Sequence, residues 1–224
     1  MGLSQWIPGE APRDKLLERG EQALSDAELL AVMLGTGFSG CDALELARAV
    51  LHEFGSLSGL IRADAQRLLE TKGIGKAKYA QLRAAREMGR RQALQGLFGA
   101  DTLNSPSATL RFLQYHLGAH TREVFSCLFL DSQHQLLCCE DLFFGTLDGA
   151  AIYPREVAVR ALHNHAAAVI FAHNHPSGIA EPSAADRRIT KRLQAALELL
   201  DIRVLDHVIV GRGREFSFAE AGLL

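Results

Sequence analysis

The spacing of apolar residues changes near the middle of the chain. From Lys15 to about Leu97 they recur at helical spacing, interrupted by glycine-rich turns, which predicts several short helices. From about Asn104 onward, apolar runs of strand length alternate with helical segments, a pattern typical of an α/β layer. The sequence therefore predicts a small all-α domain over residues 1–98 and an α/β domain over residues 104–224.

The second half yields a definite order of elements. The predicted helices cover residues 108–119, 154–165 and the segment that Ser183 opens, and the predicted strands cover residues 123–130, 136–144, 166–171 and 203–210. Pro154 favours a helix start because its missing N–H costs nothing in the first turn. The continuous apolar run of residues 166–171 is typical of a buried strand. The segment 203–210 is the last clear strand.

Composition and charge narrow the class of protein. The 224 residues carry a net charge of -2 and no biased tract, as in ordinary folded proteins. Residues 62–91 hold nine Lys or Arg against three acids, so this segment could attract an anionic partner. The four cysteines lack Cys-x-x-Cys spacing, the N-terminus lacks a signal pattern, and no apolar run approaches the ~20 residues of a membrane helix. We therefore expect a cytoplasmic protein without a membrane segment.

Two histidines form the first element of a candidate metal site. His173 and His175 stand two apart, directly after the predicted strand 166–171. Side chains two apart on an extended chain point to the same side, so both imidazoles can reach one metal ion. A second His-x-His, His163-Asn164-His165, closes a predicted helix, where positions two apart lie about 200° apart around the axis. Only the first pair is predicted to chelate.

A carboxylate follows at a spacing that allows a third ligand. Asp186 stands three residues after Ser183, at the start of a predicted helix, and could swing back to the histidines. Three protein ligands leave one tetrahedral position for water, as in catalytic zinc sites. The same Ser-x-x-Asp spacing is also a variant of the capping box, in which the two residues serve the helix N-terminus. Both interpretations stay open on the residues alone.

The residues around this pattern resemble a known family. The string His173-Asn174-His175-Pro176-Ser177-Gly178, followed by Pro182-Ser183-Ala184-Ala185-Asp186, resembles the JAMM (MPN+) zinc metallopeptidase signature in the form found in bacterial RadC-like proteins. The resemblance extends from about residue 104 to the C-terminus. It implies a JAMM/MPN-like (cytidine-deaminase-like) mixed sheet flanked by helices, and a protein or peptide substrate.

The resemblance also implies a role for each residue of the signature. One Zn²⁺ per chain would bind His173, His175 and Asp186, with Glu123 as general base and the Ser183 hydroxyl as oxyanion donor. Glu140 and Glu156 are competing carboxylates, which we interpret as a strand residue and an exposed first-turn helix residue. Asp206 and His207, in the last predicted strand, are either support for a ligand imidazole or an exposed polar pair.

A glycine-rich turn in the first half suggests a nucleic-acid contact. Residues 68–78 join two helical segments through Gly73-Ile74-Gly75 and resemble a helix-hairpin-helix element. Glycines let backbone N–H groups approach a phosphate, and Lys76 and Lys78 add charge without reading sequence. Gly73, Gly75, Lys76 and Lys78 are therefore the predicted DNA contacts. The alternative is a tightly packed helical hairpin with solvated lysines.

These features together favour a zinc hydrolase of the metallopeptidase type with a DNA-binding helical module and a link to DNA repair. One alternative is a metal-dependent nuclease, but nucleases usually use carboxylate-rich shells or two metal ions. The other is a DNA-binding repair accessory with a decayed metal site. The intact set of Glu123, His173, His175, Ser183 and Asp186 argues against decay.

Overall fold

The structure is a computed structural model that describes residues 9–98, 106–118, 120–145 and 152–224. The chain divides into two compact units, residues 1–88 and 89–224. The predicted domain boundary, between residues 98 and 104, lies largely outside the described residues and stays a prediction. Among the residues described, no helix combines the length and the apolar character that crossing a membrane requires.

The first unit is built from short helices, as predicted. These are α1 (Pro12–Arg19), α2 (Asp26–Leu34), α3 (Ala43–Phe54), α4 (Leu57–Arg62) and α5 (Ala65–Glu70), with a 3-10 turn at Glu21–Ala23. The longer α6 (Lys76–Gln95) begins in this unit and ends beyond its last residue, Met88. Ser25 and Asp42 start α2 and α3 with capping boxes, which satisfy N–H groups that a helix start leaves unpaired. The apolar faces enclose a core that contains Leu30, Leu46 and Leu68.

The second unit contains a five-stranded mixed sheet. Its elements are α7 (Pro106–Leu117), β1 (Val124–Leu130), β2 (Leu136–Phe144), α8 (Pro154–His163), β3 (Ala168–Asn174), α9 (Ala184–Glu198), β4 (Arg203–Val210) and β5 (Glu215–Ser217). The strand order is β2-β1-β3-β4-β5. Only β3 and β4 run parallel; the other pairs are antiparallel. The predicted mixed sheet flanked by helices is confirmed.

Alternation along the strands divides the core of this unit into two layers. Phe112, Leu113 and Leu117 of α7 pack on one face of the sheet. The other face, with Phe125 and Phe171, packs against α8 and α9. Since successive strand residues point to opposite faces, His173 lies on the α8/α9 face and Asn174 on the α7 face. Both are buried.

Two strand predictions were wrong. The buried strand does not end at Phe171, because β3 continues to Asn174. Its last residues are paired on both sides, His173 with Phe125 of β1 and Asn174 with Val210 of β4. His173 therefore lies inside the strand. In addition, the strand at residues 203–210 is not the last, because the short β5 pairs with it.

Candidate metal centre

Three predicted ligands converge where β3 ends and α9 begins. The Nε2 atoms of His173 and His175 are 3.0 Å apart. Asp186 Oδ1 is 3.4 Å from Nε2 of His173, and Asp186 Oδ2 is 3.6 Å from Nε2 of His175. In the described part of the chain, this is the only group of three or more His, Cys, Asp or Glu residues whose ligand atoms lie within 4.8 Å of one another.

The spacing of these atoms fits a tetrahedral zinc ion. Ligand atoms about 2.0–2.1 Å from zinc lie about 3.3 Å apart in a tetrahedron. The separations of 3.0, 3.4 and 3.6 Å are close to that value. Two imidazoles and one carboxylate are also a donor set of catalytic zinc, which leaves the fourth position for water. The residues present therefore fit the ion that the sequence implies.

Burial and the shared carboxylate set the charges of the cluster. Burial lowers the pKa of His173 to about 4, so this ring is neutral at pH 7. The Asp186 carboxylate stabilises the protonated form of His175 and so raises the pKa of this ring, whose Nε2 must lose its proton before it can bind a cation. Burial alone would raise the pKa of Asp186, but its contacts with His175 and with the hydroxyl and backbone N–H of Ser183 lower it far below its usual range. Asp186 is therefore a carboxylate, the form that binds a cation.

The capping box and the metal ligand are one arrangement. The backbone N–H and the hydroxyl of Ser183 both donate to Asp186 Oδ2, at 2.7 and 2.6 Å, and Asp186 N–H donates to Ser183 Oγ at 3.1 Å. Asp186 can therefore serve both as a capping residue and as a metal ligand, the two interpretations that the sequence left open. The cap holds the Asp186 carboxylate with Oδ1 towards His173. The Ser183 side chain is exposed beside the cluster. Its role as oxyanion donor stays a prediction.

Glu123 lies immediately before β1, on the same sheet face as the ligands. It is two residues before Phe125, whose ring centroid is 6.3 Å from that of His173. The backbone carbonyl of Glu123 accepts a hydrogen bond from Gly145 N–H at 2.8 Å. Burial and the negative charge of Asp186 raise the pKa of the Glu123 carboxyl, against the opposing effect of His175. A raised carboxyl pKa is what a general base working near neutral pH requires.

Asn174, between the two histidines, ties the ligand strand to the Glu123 segment. Its Oδ1 accepts the Val124 N–H at 2.8 Å, and its Nδ2 donates to the carbonyls of Arg122 at 2.9 Å and His120 at 3.3 Å. These partners lie on both sides of Glu123 in the chain. Sequence reasoning missed this residue. The available signal was a polar residue at a strand position that alternation directs into the core.

The pair Asp206 and His207 splits between the two faces of the sheet. His207 is fully buried on the ligand face, and its Nε2 is 2.9 Å from Nδ1 of His173. Asp206 instead accepts hydrogen bonds from the Ser217 hydroxyl at 2.7 Å and from Ala219 N–H at 2.9 Å. Only His207 therefore touches a ligand imidazole.

The competing residues are engaged elsewhere. Glu140 accepts a hydrogen bond from Asn164 at 2.8 Å and lies 3.7 Å from Arg160. Glu156 is an exposed residue in the first turn of α8, as predicted, and pairs with the neighbouring Arg155. The second His-x-His closes α8, with His163 as its last residue and both histidines exposed. The sequence distinguished the two His-x-His copies by their predicted secondary structure, and the structure confirms this difference.

The predicted DNA contacts fall into two groups. Gly73 has a φ of +89°, and a Cβ there would meet the side chains of Phe38 and Leu46, so the turn packs tightly. The Lys78 ammonium donates to the carbonyls of Gly37 at 2.9 Å and Gly73 at 3.0 Å. Gly75 and Lys76, at the start of α6, are exposed. The structure thus directs Lys78 into its own unit and Lys76 to solvent.

Family comparisons agree with this fold and cluster. Residues 103–223 match the family model of the RadC-like JAB domain, and residues 3–80 match the UPF0758 N-terminal model. The fold and the His-His-Asp cluster thus belong to a JAB-type domain. The UPF0758 proteins of Nitrosococcus oceani and Thioalkalivibrio sulfidiphilus are 56% and 54% identical over the full length of both chains, and that of Marinobacter nauticus is 53% identical over 99% of each. The chain belongs to the RadC-like UPF0758 family.

Proposed function

We propose that this protein is a zinc-dependent hydrolase of the JAMM metallopeptidase type, which cleaves a peptide or isopeptide bond. The observation that supports this proposal is the convergence of three electron-pair donors on one point. His175 Nδ1 donates to the Ile179 carbonyl at 2.8 Å, so the lone pair of the ring is on Nε2 when the ring loses its second proton. That lone pair faces His173 Nε2 and the Asp186 carboxylate. A divalent cation stabilises such an arrangement.

Glu123 and Ser183 have separate roles in the proposed reaction. When bound, zinc supplies Lewis acidity, which polarises the scissile carbonyl and lowers the pKa of a water molecule to ~7. Glu123 takes the proton of the attacking water and passes it to the leaving nitrogen, a transfer that its raised pKa favours. The Ser183 hydroxyl, whose single hydrogen bonds to Asp186 Oδ2 in this structure, would turn that hydrogen to the developing oxyanion.

The substitution Glu123→Gln tests the proposal, with Glu140→Gln as its matched control. We expect about one zinc per chain, bound by His173, His175 and Asp186, in both variants. Turnover of peptide or isopeptide substrates should fall ~10²-fold to 10⁴-fold in Glu123→Gln, because the basic carboxylate is lost. Glu140→Gln should behave as wild type, since Glu140 contacts Asn164 and Arg160. Metal analysis and matched assays on peptide, isopeptide and DNA substrates measure these effects.

Three results would contradict the proposal. If protein purified without chelators contains no zinc, the proposed zinc site is wrong. Loss of zinc in Glu123→Gln would make Glu123 a ligand instead of a base. Metal-dependent cleavage of DNA, without cleavage of either peptide substrate, would favour the nuclease.

DNA binding by the helical unit is a separate part of the proposal. Gly75 and Lys76 are exposed at the first turn of α6, where backbone N–H groups and a cation can contact a phosphate. Lys78 supports the turn by holding the Gly37 and Gly73 carbonyls. This binding would bring the proposed hydrolase to DNA, as the proposed role in DNA repair requires.

A further inference from the structure

A buried chain of three hydrogen bonds lies behind His173. His173 Nδ1 is 2.9 Å from His207 Nε2, His207 Nδ1 is 2.6 Å from the Thr190 hydroxyl, and that hydroxyl donates to the backbone carbonyl of Asp186 at 2.6 Å. The three side chains are at most 1% exposed. The chain therefore joins one ligand of the cluster to the main chain of another, out of contact with solvent.

The hydroxyl of Thr190 fixes the first hydrogen of this chain. A hydroxyl has one hydrogen, and a carbonyl oxygen only accepts. The contact with the Asp186 carbonyl at 2.6 Å therefore uses the Thr190 hydrogen. The hydroxyl oxygen is left to accept, so the 2.6 Å contact with His207 requires a hydrogen on His207 Nδ1.

The position of that hydrogen determines the tautomer of His173. His207 is fully buried among aromatic rings, with centroids 4.9 Å from Phe218 and 5.6 Å from Phe125, and such a site disfavours a charged imidazole. A neutral ring carries one N–H, so His207 Nε2 is an acceptor. The hydrogen in its 2.9 Å contact must come from His173 Nδ1. The lone pair of His173 is therefore on Nε2, facing His175 and Asp186.

We propose that Thr190 and His207 are positioning residues that set the Nδ1–H tautomer of His173, so that its Nε2 presents a lone pair to the metal ion. The inference rests on the metal binding proposed above. Without this hydrogen-bond chain, His173 can carry its hydrogen on Nε2, and the ion must first displace that hydrogen. Loss of such outer hydrogen-bond partners typically lowers metal affinity ~10-fold to 100-fold.

The test compares two substitutions of Thr190 in the full-length protein. Thr190→Val keeps the shape but removes the acceptor for His207, so zinc affinity should fall ~10-fold to 100-fold. Thr190→Ser keeps the hydroxyl and should bind zinc within a few-fold of wild type. Thr109→Val removes another buried hydroxyl from α7 and should leave zinc affinity unchanged. Competition with a chromophoric zinc chelator gives the dissociation constants.

A second measurement examines the tautomers without metal or turnover. In the metal-free wild-type protein, ¹⁵N shifts of the histidine rings should show the hydrogen on Nδ1 in both His173 and His207. In Thr190→Val, His207 should move towards the Nε2–H form. A wild-type His173 that carries its hydrogen on Nε2 would overturn the inference, as would equal zinc affinity in Thr190→Val and wild type. Wild-type protein that binds no zinc would instead overturn the proposed function, while the ring shifts would still decide the tautomer.

Discussion

Asn174→Ala tests whether the polar residue between the ligands positions the base. The substitution removes three hydrogen bonds, to Val124 N–H and to the carbonyls of Arg122 and His120. Each such bond contributes about 1 kcal/mol net, and the buried Val124 N–H would lose its partner. We expect the free energy of unfolding of the second unit to fall by about 3 kcal/mol.

The effect on turnover should be separable from this loss of stability. The three broken contacts hold the residues on both sides of Glu123, and a displacement of about 1 Å in a reacting group can cost ~10²-fold in rate. We therefore expect turnover to fall ~10²-fold at temperatures where the variant is folded. Zinc affinity should change little, because the side chain of the ligand His173 points to the opposite face of β3 from that of Asn174.

The chain supplies a matched control, because both His-x-His copies have an asparagine in the middle. Asn164→Ala removes hydrogen bonds to Glu140 and to the Arg160 carbonyl, away from Glu123. Denaturant unfolding, zinc titration and peptide hydrolysis should be compared in the two variants. Wild-type turnover in folded Asn174→Ala, or an equal loss in Asn164→Ala, would refute the positioning role.

Three further predictions concern the ligands, pH and the lysines. His175→Ala should abolish zinc binding with little loss of fold, whereas His163→Ala should retain zinc, as metal analysis and circular dichroism would show; the opposite result would reassign the site. Zinc affinity should fall as the pH decreases, and the fall should begin above the usual pKa of an imidazole, because the raised pKa of His175 lets protons compete with zinc at higher pH. Competition with a chelator across a range of pH measures this dependence. A zinc affinity that does not change with pH would contradict the prediction. Lys78→Met should lower the melting temperature, because the carbonyls of Gly37 and Gly73 lose their donor. Lys76→Glu should leave the melting temperature unchanged and weaken salt-dependent DNA binding. Equal melting temperatures in the two variants would contradict these separate roles of the two lysines.

Local patterns were sufficient to predict the convergence of the ligands. His173 and His175 follow an apolar run whose strand geometry places both on one side, and the Ser183 cap places Asp186 in the first turn of α9. Both signals depend on residues close together in the chain. The end of β3 was mispredicted because pairing with β1 and β4 extends the strand beyond its apolar run.

The supporting residues could not be predicted in the same way. Asn174 contacts backbone groups about 50 positions away, and His207 contacts His173 across 34 positions. Such contacts depend on the order of the strands, which the sequence pattern leaves undetermined. The contact of Lys78 with the Gly37 carbonyl, 41 positions away, could not be predicted either, because a sequence does not distinguish a solvated lysine from one that donates within the fold.

The pairing of β3 on both sides has a consequence for the thermodynamics of metal binding. His173 pairs with β1 and β4, and the next amide but one, His175 N–H, donates to the Val210 carbonyl at 3.0 Å. The ligand backbone is thus ordered when the sheet folds, and binding an ion need not order it again. The conformational entropy of these residues is therefore lost during folding and not during metal binding. We expect their amide hydrogens to exchange with solvent only when the central sheet opens, whether or not zinc is bound.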